Sequence, residues 1–155
     1  MILNRQRAVR LARRPLELFL ARVRRELGIG PAAVTICFVS DAEIARMNQA
    51  FRKKKGPTDV LSFPAVDRHA PVSFSQRRES GDAVRRSGSE TFLGDVAISP
   101  ETARRNAKKL GRTLPSELQI LILHGVLHLL GYDHETDRGE MERVEGRLRR
   151  KLRLT

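Results

Sequence analysis

Three histidines carry the clearest chemical potential in this sequence, and they fall within the segment HGVLHLLGYDH at residues 124–134. His124 and His128 are four residues apart, so on a helix both rings project from one face, about one turn apart. Gly131 stands where that helix must end, because glycine tolerates the left-handed conformation of a C-terminal cap. The chain can then turn back and bring His134 round as a third ligand. Three neutral imidazoles with a fourth position left open are the ligand set of a catalytic zinc ion.

The alternative is that these histidines are ordinary core residues with satisfied hydrogen bonds. Two of them stand in an otherwise apolar segment, however, and burying two imidazoles beside Leu, Ile and Val costs free energy unless something compensates. We therefore expect one bound Zn2+. Imidazole ligands also suit nickel and copper, so Ni2+ stays open as the native ion. The fourth histidine, His69, lies apart from this segment and is interpreted as a bystander.

The spacing His-x3-His-x2-Gly-x2-His is also that of the metzincin metalloproteases. Those enzymes require a glutamate directly after the first histidine as general base, whereas this chain has Gly125. Glycine has no side chain that could take a proton from a zinc-bound water. A zincin-like peptidase is therefore kept only as the least favoured alternative.

A mixture of helices and strands must position these histidines. Residues 115–130 are apolar nearly all round, which predicts a buried central helix that carries His124 and His128. Helices and strands do not alternate regularly along the chain, so the predicted class is α+β. Four further helices are predicted: from Pro15 to Gly28, over 40–52, after Ser99 and Pro100, and from about Asp137. The second of these begins with Ser40 and Glu43 in capping-box spacing. Strands are predicted over 33–39, 59–63 and 95–98.

Length, composition and charge limit the class of protein. The 155 residues suit one domain over 1–155, and a hydrophobic content of 40% is enough for a core. No apolar run approaches the ~20 residues of a membrane span, and no secretory signal is visible. A single cysteine, Cys37, excludes an internal disulfide and fits the cytoplasm. Thirty Lys and Arg against 18 Asp and Glu give a formal charge of +12, which indicates a polyanionic partner, most simply nucleic acid.

Two further features bear on how such a partner is bound. Residues 67–91 contain five serines and two glycines with almost no periodicity, which predicts a long mobile loop. Aromatic residues are few, with six Phe, one Tyr and no Trp, so no platform for stacking bases is evident. We expect recognition through backbone charge, with strong salt dependence and weak sequence preference.

The segment HGVLHLLGYDH resembles the signature of the YbeY family, bacterial endoribonucleases that act in ribosomal RNA maturation. The resemblance continues upstream in three further segments and extends over about residues 33–134. These segments are MNQAFR at 47–52, PTDVLSFP at 57–64 and LGDVAIS at 93–99.

This resemblance implies a small mixed sheet packed against helices and a metal ion held by His124, His128 and His134. It also implies that Arg52 is the catalytic basic residue, since Arg52 matches the family's arginine after Asn-x-x-Phe. On composition alone Arg52 would be a solvated charge in the basic run 52–55. Its planar guanidinium is suited to contact two oxygens of a phosphoryl group on which negative charge develops during cleavage.

The activity implied is metal-dependent cleavage of single-stranded RNA near the 3′ end of small-subunit (16S) ribosomal RNA, with the small ribosomal subunit and assembly factors as partners. A second hypothesis, of a different class, is a ribosome-assembly binding factor whose metal is structural. The sequence leaves open whether water or the RNA 2′-hydroxyl attacks. It also leaves open which group acts as base, and Asp133 is as suited to orienting a histidine ring as to that role.

Overall fold

The computed structural model of the chain describes residues 1–31, 33–65, 92–133 and 137–154. Within these ranges it contains four strands and five helices. In chain order they are β1 (Ile2–Asn4), α1 (Arg13–Leu27), β2 (Val34–Phe38), α2 (Asp41–Arg52), β3 (Val60–Pro64), β4 (Gly94–Ile98), α3 (Pro100–Leu110), α4 (Leu114–Leu129) and α5 (Glu140–Lys151).

The four strands form one mixed sheet in the order β1-β2-β4-β3. The pairs β1–β2 and β2–β4 are parallel, whereas β3 runs antiparallel to β4 and forms one edge of the sheet. In this register Val96 on β4 lies between Ile36 on β2 and Ser62 on β3. The small mixed sheet and its surrounding helices confirm the predicted α+β class.

Helices cover both faces of the sheet. On one face α1, α3, α4 and α5 share a core with sheet residues such as Val96 and Ile98. On the other face α2 packs through Ile44 against a smaller cluster that includes Phe63 and Ala97. Alternate residues of a strand point to opposite faces, so neighbouring residues of β4 serve the two cores separately.

Local signals in the sequence set most of the helix ends. The Ser40 hydroxyl accepts the backbone N–H of Glu43 at 3.1 Å, and Ser99 accepts that of Thr102 at 3.3 Å, so both predicted N-caps are confirmed. Helix α4 ends at Leu129, and Gly131 then takes a positive φ of 96°, as predicted for the break after the second histidine. Strand β1 was not predicted, because three residues show no usable periodicity.

Helices α2 and α3 are joined at their N-terminal ends through Asp41. Its carboxylate accepts hydrogen bonds from the Ser99 hydroxyl at 2.5 Å and the Thr102 hydroxyl at 2.7 Å, and it pairs with Arg105 at 2.8 Å. Burial raises the pKa of Asp41, but these hydrogen bonds and the charge of Arg105 outweigh burial and hold it below its usual value. The network fixes where α2 begins and so helps to position Arg52 at its other end.

Two predictions fall wholly or partly outside the described residues. Of the predicted loop over 67–91, and of His69 within it, nothing is described. The single-domain prediction for 1–155 includes that segment and stays a prediction. No helix in the described part of the chain is long and apolar enough to span a membrane.

Candidate metal centre

Helix α4 brings His124 and His128 into direct contact. Their Nε2 atoms are 3.1 Å apart, and the two rings meet edge to face with centroids 4.7 Å apart. Two nitrogens that each bind one tetrahedral zinc ion at 2.0–2.1 Å would be about 3.3 Å apart. The observed separation fits this value without any change of side-chain conformation.

Glu145 on α5 holds the other nitrogen of His124. Its Oε2 atom is 3.2 Å from His124 Nδ1. Burial raises the pKa of Glu145, but the hydrogen bond and charge of His124, with the charge of nearby Arg149, outweigh burial and keep it below the usual value. With the His124 ring neutral, the ionised Glu145 accepts a hydrogen bond from Nδ1–H, which leaves Nε2 without a proton and facing His128.

The histidine pair is only partly covered by protein. The side chains of His124 and Glu145 are 26% and 16% exposed, and His128 is likewise half-buried. Over residues 120–129 every residue of α4 other than the two histidines is buried, including Leu123, Val126 and Leu127 next to them. In this half of the helix, the edge that carries the two imidazoles is therefore the edge that a ligand from solvent can reach.

Gly125 packs closely against the sheet. A Cβ atom at this position would lie 2.5 Å from Val96 Cγ1 and 3.0 Å from Cγ2, inside contact distance. The Ser62 hydroxyl donates to the Gly125 carbonyl oxygen at 3.0 Å. A side chain here would have to displace Val96, so packing disfavours the glutamate that a metzincin-type peptidase needs after its first histidine.

Arg52 is the last residue of α2 and is exposed, as are the three lysines that follow it. The preceding Phe51 packs edge to face on Phe63 of β3, with ring centroids 5.3 Å apart. Buried Asn48 anchors the basic turn by donating to the Gly56 carbonyl oxygen at 3.0 Å. Helices α2 and α4 lie on opposite faces of edge strand β3, which Phe51, next to Arg52, and Gly125, next to His124, contact through Phe63 and Ser62.

His134, the third predicted ligand, lies outside the described residues. Two residues that flank it in the sequence are hydrogen-bonded to each other: the Asp133 carbonyl oxygen accepts the backbone N–H of Asp137 at 2.9 Å. Among residues 1–31, 33–65, 92–133 and 137–154, no group of three His, Cys, Asp or Glu side chains could hold a metal. The described residues therefore supply a pair of candidate ligands, and a full set requires a further residue.

Two acidic residues, Asp59 and Asp95, lie in the segments at 57–64 and 93–99, and their described contacts are not with the histidine pair. Asp59 accepts from the Asn106 side chain of α3 at 3.3 Å, and its carbonyl oxygen accepts the backbone N–H of Ser99. Asp95 is buried on β4, where it pairs in register with Phe63. Asp59 thus links β3 to α3.

Reasoning from the sequence missed Glu145, Ser62 and Val96. The sequence held only a weak signal for Glu145, which lies next to Val144 at the border of the apolar side of the predicted last helix. No local pattern pointed to Ser62 or Val96, because their contact with Gly125 depends on how the helix docks on the sheet.

The fold and the facing imidazoles define an α+β protein with a paired-histidine site on its central helix. The family model described as Endoribonuclease YbeY matches residues 2–153. The chain therefore belongs to the Endoribonuclease YbeY family.

Individual relatives agree with this assignment. The Endoribonuclease YbeY of Koribacter versatilis is 41% identical over 99% of this chain and 86% of its own length, and that of Solibacter usitatus is 43% identical over 96% and 86%. The solution structure of TM1509 from Thermotoga maritima superposes with a TM-score of 0.52 at 25% identity, covering 98% of this chain and 89% of that one.

The close approach at Gly125 predicts an unusual response to alanine. Gly125→Ala should lower the free energy of unfolding by about 1–2 kcal/mol, because overpacking against Val96 outweighs the better helix propensity of alanine. Equilibrium denaturation with urea measures this change.

The matched control is Gly146→Ala in α5, where a Cβ atom would meet only the flexible end of Arg150 at 3.6 Å. This variant should gain up to about 1 kcal/mol from helix propensity alone. Equal stabilisation by both substitutions would contradict the packing constraint at Gly125.

Proposed function

We propose that this chain is a metal-dependent endoribonuclease that cleaves single-stranded RNA during ribosomal RNA maturation, with one ion held by His124, His128 and His134. Membership of the Endoribonuclease YbeY family makes the chain an RNA-cleaving hydrolase. The single observation that supports the proposed metal site is the 3.1 Å separation of the two facing Nε2 atoms.

The donor set favours a borderline metal such as zinc, with nickel as the second candidate. Both described ligands are imidazoles, and the chain's one cysteine, Cys37, is buried in the core away from them. In the sequence, His134 comes three residues after Gly131 and before α5, the helix that carries Glu145. When bound, the ion supplies a Lewis acid that polarises a phosphoryl oxygen and lowers the pKa of water.

Glu145 is proposed to orient the first ligand. By accepting a hydrogen bond from His124 Nδ1–H, it keeps the ring in one tautomer and one rotation, with Nε2 directed at the shared site. Because Glu145 belongs to α5, the docking of the C-terminal helix on α4 becomes part of the site. Gly125 has no side chain that could act as a base, so another residue or group must accept the proton in the reaction.

Arg52 is proposed to bind the scissile phosphate. Its guanidinium is exposed at the end of α2, where the Phe51–Phe63 contact and the Asn48 anchor hold the backbone. A fixed planar cation can contact two phosphoryl oxygens and stabilise charge that develops between them. The neighbouring lysines 53–55 add sequence-independent attraction to the RNA backbone.

Single-stranded ribosomal RNA near the 3′ end of the small-subunit molecule is the proposed substrate. The formal charge of +12 supports a polyanionic partner, and the small number of aromatic residues supports recognition through the backbone. The small ribosomal subunit and assembly factors are proposed as the partners that supply specificity. The structural-metal assembly factor and the peptidase are not favoured, since the family is one of endoribonucleases and position 125 excludes the peptidase base.

Cleavage of an end-labelled single-stranded RNA by the purified metal-loaded chain tests this function. Activity should disappear with a chelator, return on addition of Zn2+, and be absent from His128→Ala under every condition. Arg52→Ala should lose about a hundredfold in rate, as expected for removal of one group that stabilises transition-state charge.

The matched control is Arg46→Ala, which removes an exposed arginine from the same helix and should leave the rate unchanged. The product ends identify the attacking group, since a cyclic phosphate reports the 2′-hydroxyl and a free 3′-hydroxyl reports water. Metal-loaded protein that does not cleave RNA would contradict the proposal and favour the assembly-factor hypothesis.

The role of Glu145 has its own readout in metal affinity. Glu145→Ala should weaken zinc binding by about 10–100-fold, because the His124 ring loses the partner that orients it. Glu145→Gln retains an acceptor oxygen and should lose less. Competition with a chromophoric chelator measures both values on the folded protein without reference to RNA cleavage.

Glu142→Gln on the exposed side of the same helix is the control and should leave zinc affinity unchanged. Wild-type affinity in Glu145→Ala would show that the hydrogen bond to His124 does not orient a metal ligand.

A further inference from the structure

Phe51 is the one exposed aromatic side chain in the part of the chain that the structure describes. It is 40% exposed, whereas Phe63 and the other described aromatic rings are buried or half-buried. Met47 and Ile44, one and two turns earlier on the same side of α2, pack within the smaller core. The apolar side of α2 therefore continues past this core, and its last member presents a ring to solvent.

The exposed ring is held in a fixed orientation by Phe63. The two rings meet edge to face, with centroids 5.3 Å apart and planes at 81° to each other. Phe63 is itself buried in the smaller core, together with Ala97 of the neighbouring strand β4. A ring that is already positioned loses little conformational entropy when a flat ligand stacks on it.

The turn that ends α2 concentrates positive charge. Arg52 and lysines 53–55 are all exposed. Helices α1 and α3 end in left-handed conformations at Gly28 and Gly111, whereas α2 ends in the same way at Lys53, with a φ of 54°. This conformation is unfavourable for a lysine, and local strain of this kind concentrates at functional sites. The turn thus carries a positive charge at a position where glycine would fit the backbone better.

Asn48 ties this basic turn to the core. Its carbonyl oxygen accepts the backbone N–H of Lys54 at 3.3 Å, and its side chain donates to the Gly56 carbonyl oxygen at 3.0 Å. Asn48 is buried on α2, one turn before Arg52. Phe63 and Asn48 therefore fix the aromatic ring and the basic turn on the same end of one helix.

An exposed aromatic ring beside fixed cations is the combination with which proteins bind single-stranded nucleic acids. The ring stacks on a base, and the cations attract the phosphates of the backbone. Bases inside a duplex already stack on their neighbours, so a ring reaches base faces most readily in unpaired RNA. Successive helix residues project about 100° apart, so Phe51 and Arg52 can contact different parts of one strand without competing for space.

We propose that Phe51 stacks on an unpaired base of the RNA, next to the phosphate that Arg52 binds. The inference rests on the proposed function, which supplies the single-stranded RNA and the phosphate. Stacking tolerates any sequence, because every base has a π face, and so it agrees with the weak sequence preference expected from the composition. Phe51 is then a substrate-binding residue that favours unpaired over base-paired RNA.

The test measures binding of the zinc-loaded chain to two RNAs by fluorescence anisotropy over a salt series. One is a short unstructured 2′-O-methyl RNA that a gel shows to stay intact, and the other is the same strand with every base removed. Phe51→Leu should bind the first strand at least about fivefold more weakly, because leucine still packs on Phe63 but cannot stack on a base. It should bind the abasic strand as the wild type does, with an unchanged salt dependence, since no charge is lost.

Phe51→Tyr keeps the ring and should retain the affinity for both strands. The matched control is Leu110→Ala, which removes a 58% exposed apolar side chain from the end of α3, next to exposed lysines 108 and 109. This variant should bind both strands as the wild type does. Arg52→Gln should weaken binding to both strands and make the salt dependence shallower, because it removes a phosphate contact.

Three results would each overturn the proposal: equal loss on the abasic strand, equal loss in Phe51→Tyr, or wild-type affinity in Phe51→Leu. The last of these would instead favour a protein partner for the exposed ring. A wild-type chain that binds the abasic strand as tightly as the complete one would overturn it as well. Binding is measured without cleavage, so a chain that stacks a base but does not cut natural RNA would contradict the proposed function alone.

Discussion

Helix α4 must bury an apolar surface on nearly every side and still present two imidazoles to one another. The conflict is resolved at Gly125, where the missing side chain lets the helix approach Val96 and lets its carbonyl accept from Ser62. This contact fixes the rotation of the helix about its axis. His124 and His128 are then directed to an edge that the sheet and the neighbouring helices cover only in part.

The same constraint determines which chemistry is available. No carboxylate follows His124 on this helix, and the acid that contacts the His124 ring is Glu145 of a second helix. Edge strand β3 then separates the histidine pair from the basic end of α2. Ser62 and Phe63, adjacent on β3, contact Gly125 on one face and Phe51 on the other, so one strand carries both halves of the proposed site.

Much of this arrangement could be predicted from local sequence. The four-residue spacing of His124 and His128, the N-caps at Ser40 and Ser99, and the break at Gly131 depend only on neighbours along the chain, and the structure confirms them. Strand β1 could not be predicted, because its stability comes from parallel pairing with β2 more than thirty residues away. Glu145 and Val96 were missed for the same reason, since their contacts arise only when helices dock.

The central claim is that His124 and His128, with His134, hold one metal ion at the edge of α4. X-ray absorption at the metal edge of the zinc-loaded chain, combined with the metal content per chain, tests this directly. We expect one ion with three imidazole nitrogens at about 2.0–2.1 Å, falling to two in His134→Ala. An ion without imidazole ligands, or an unchanged spectrum in His134→Ala, would contradict the account.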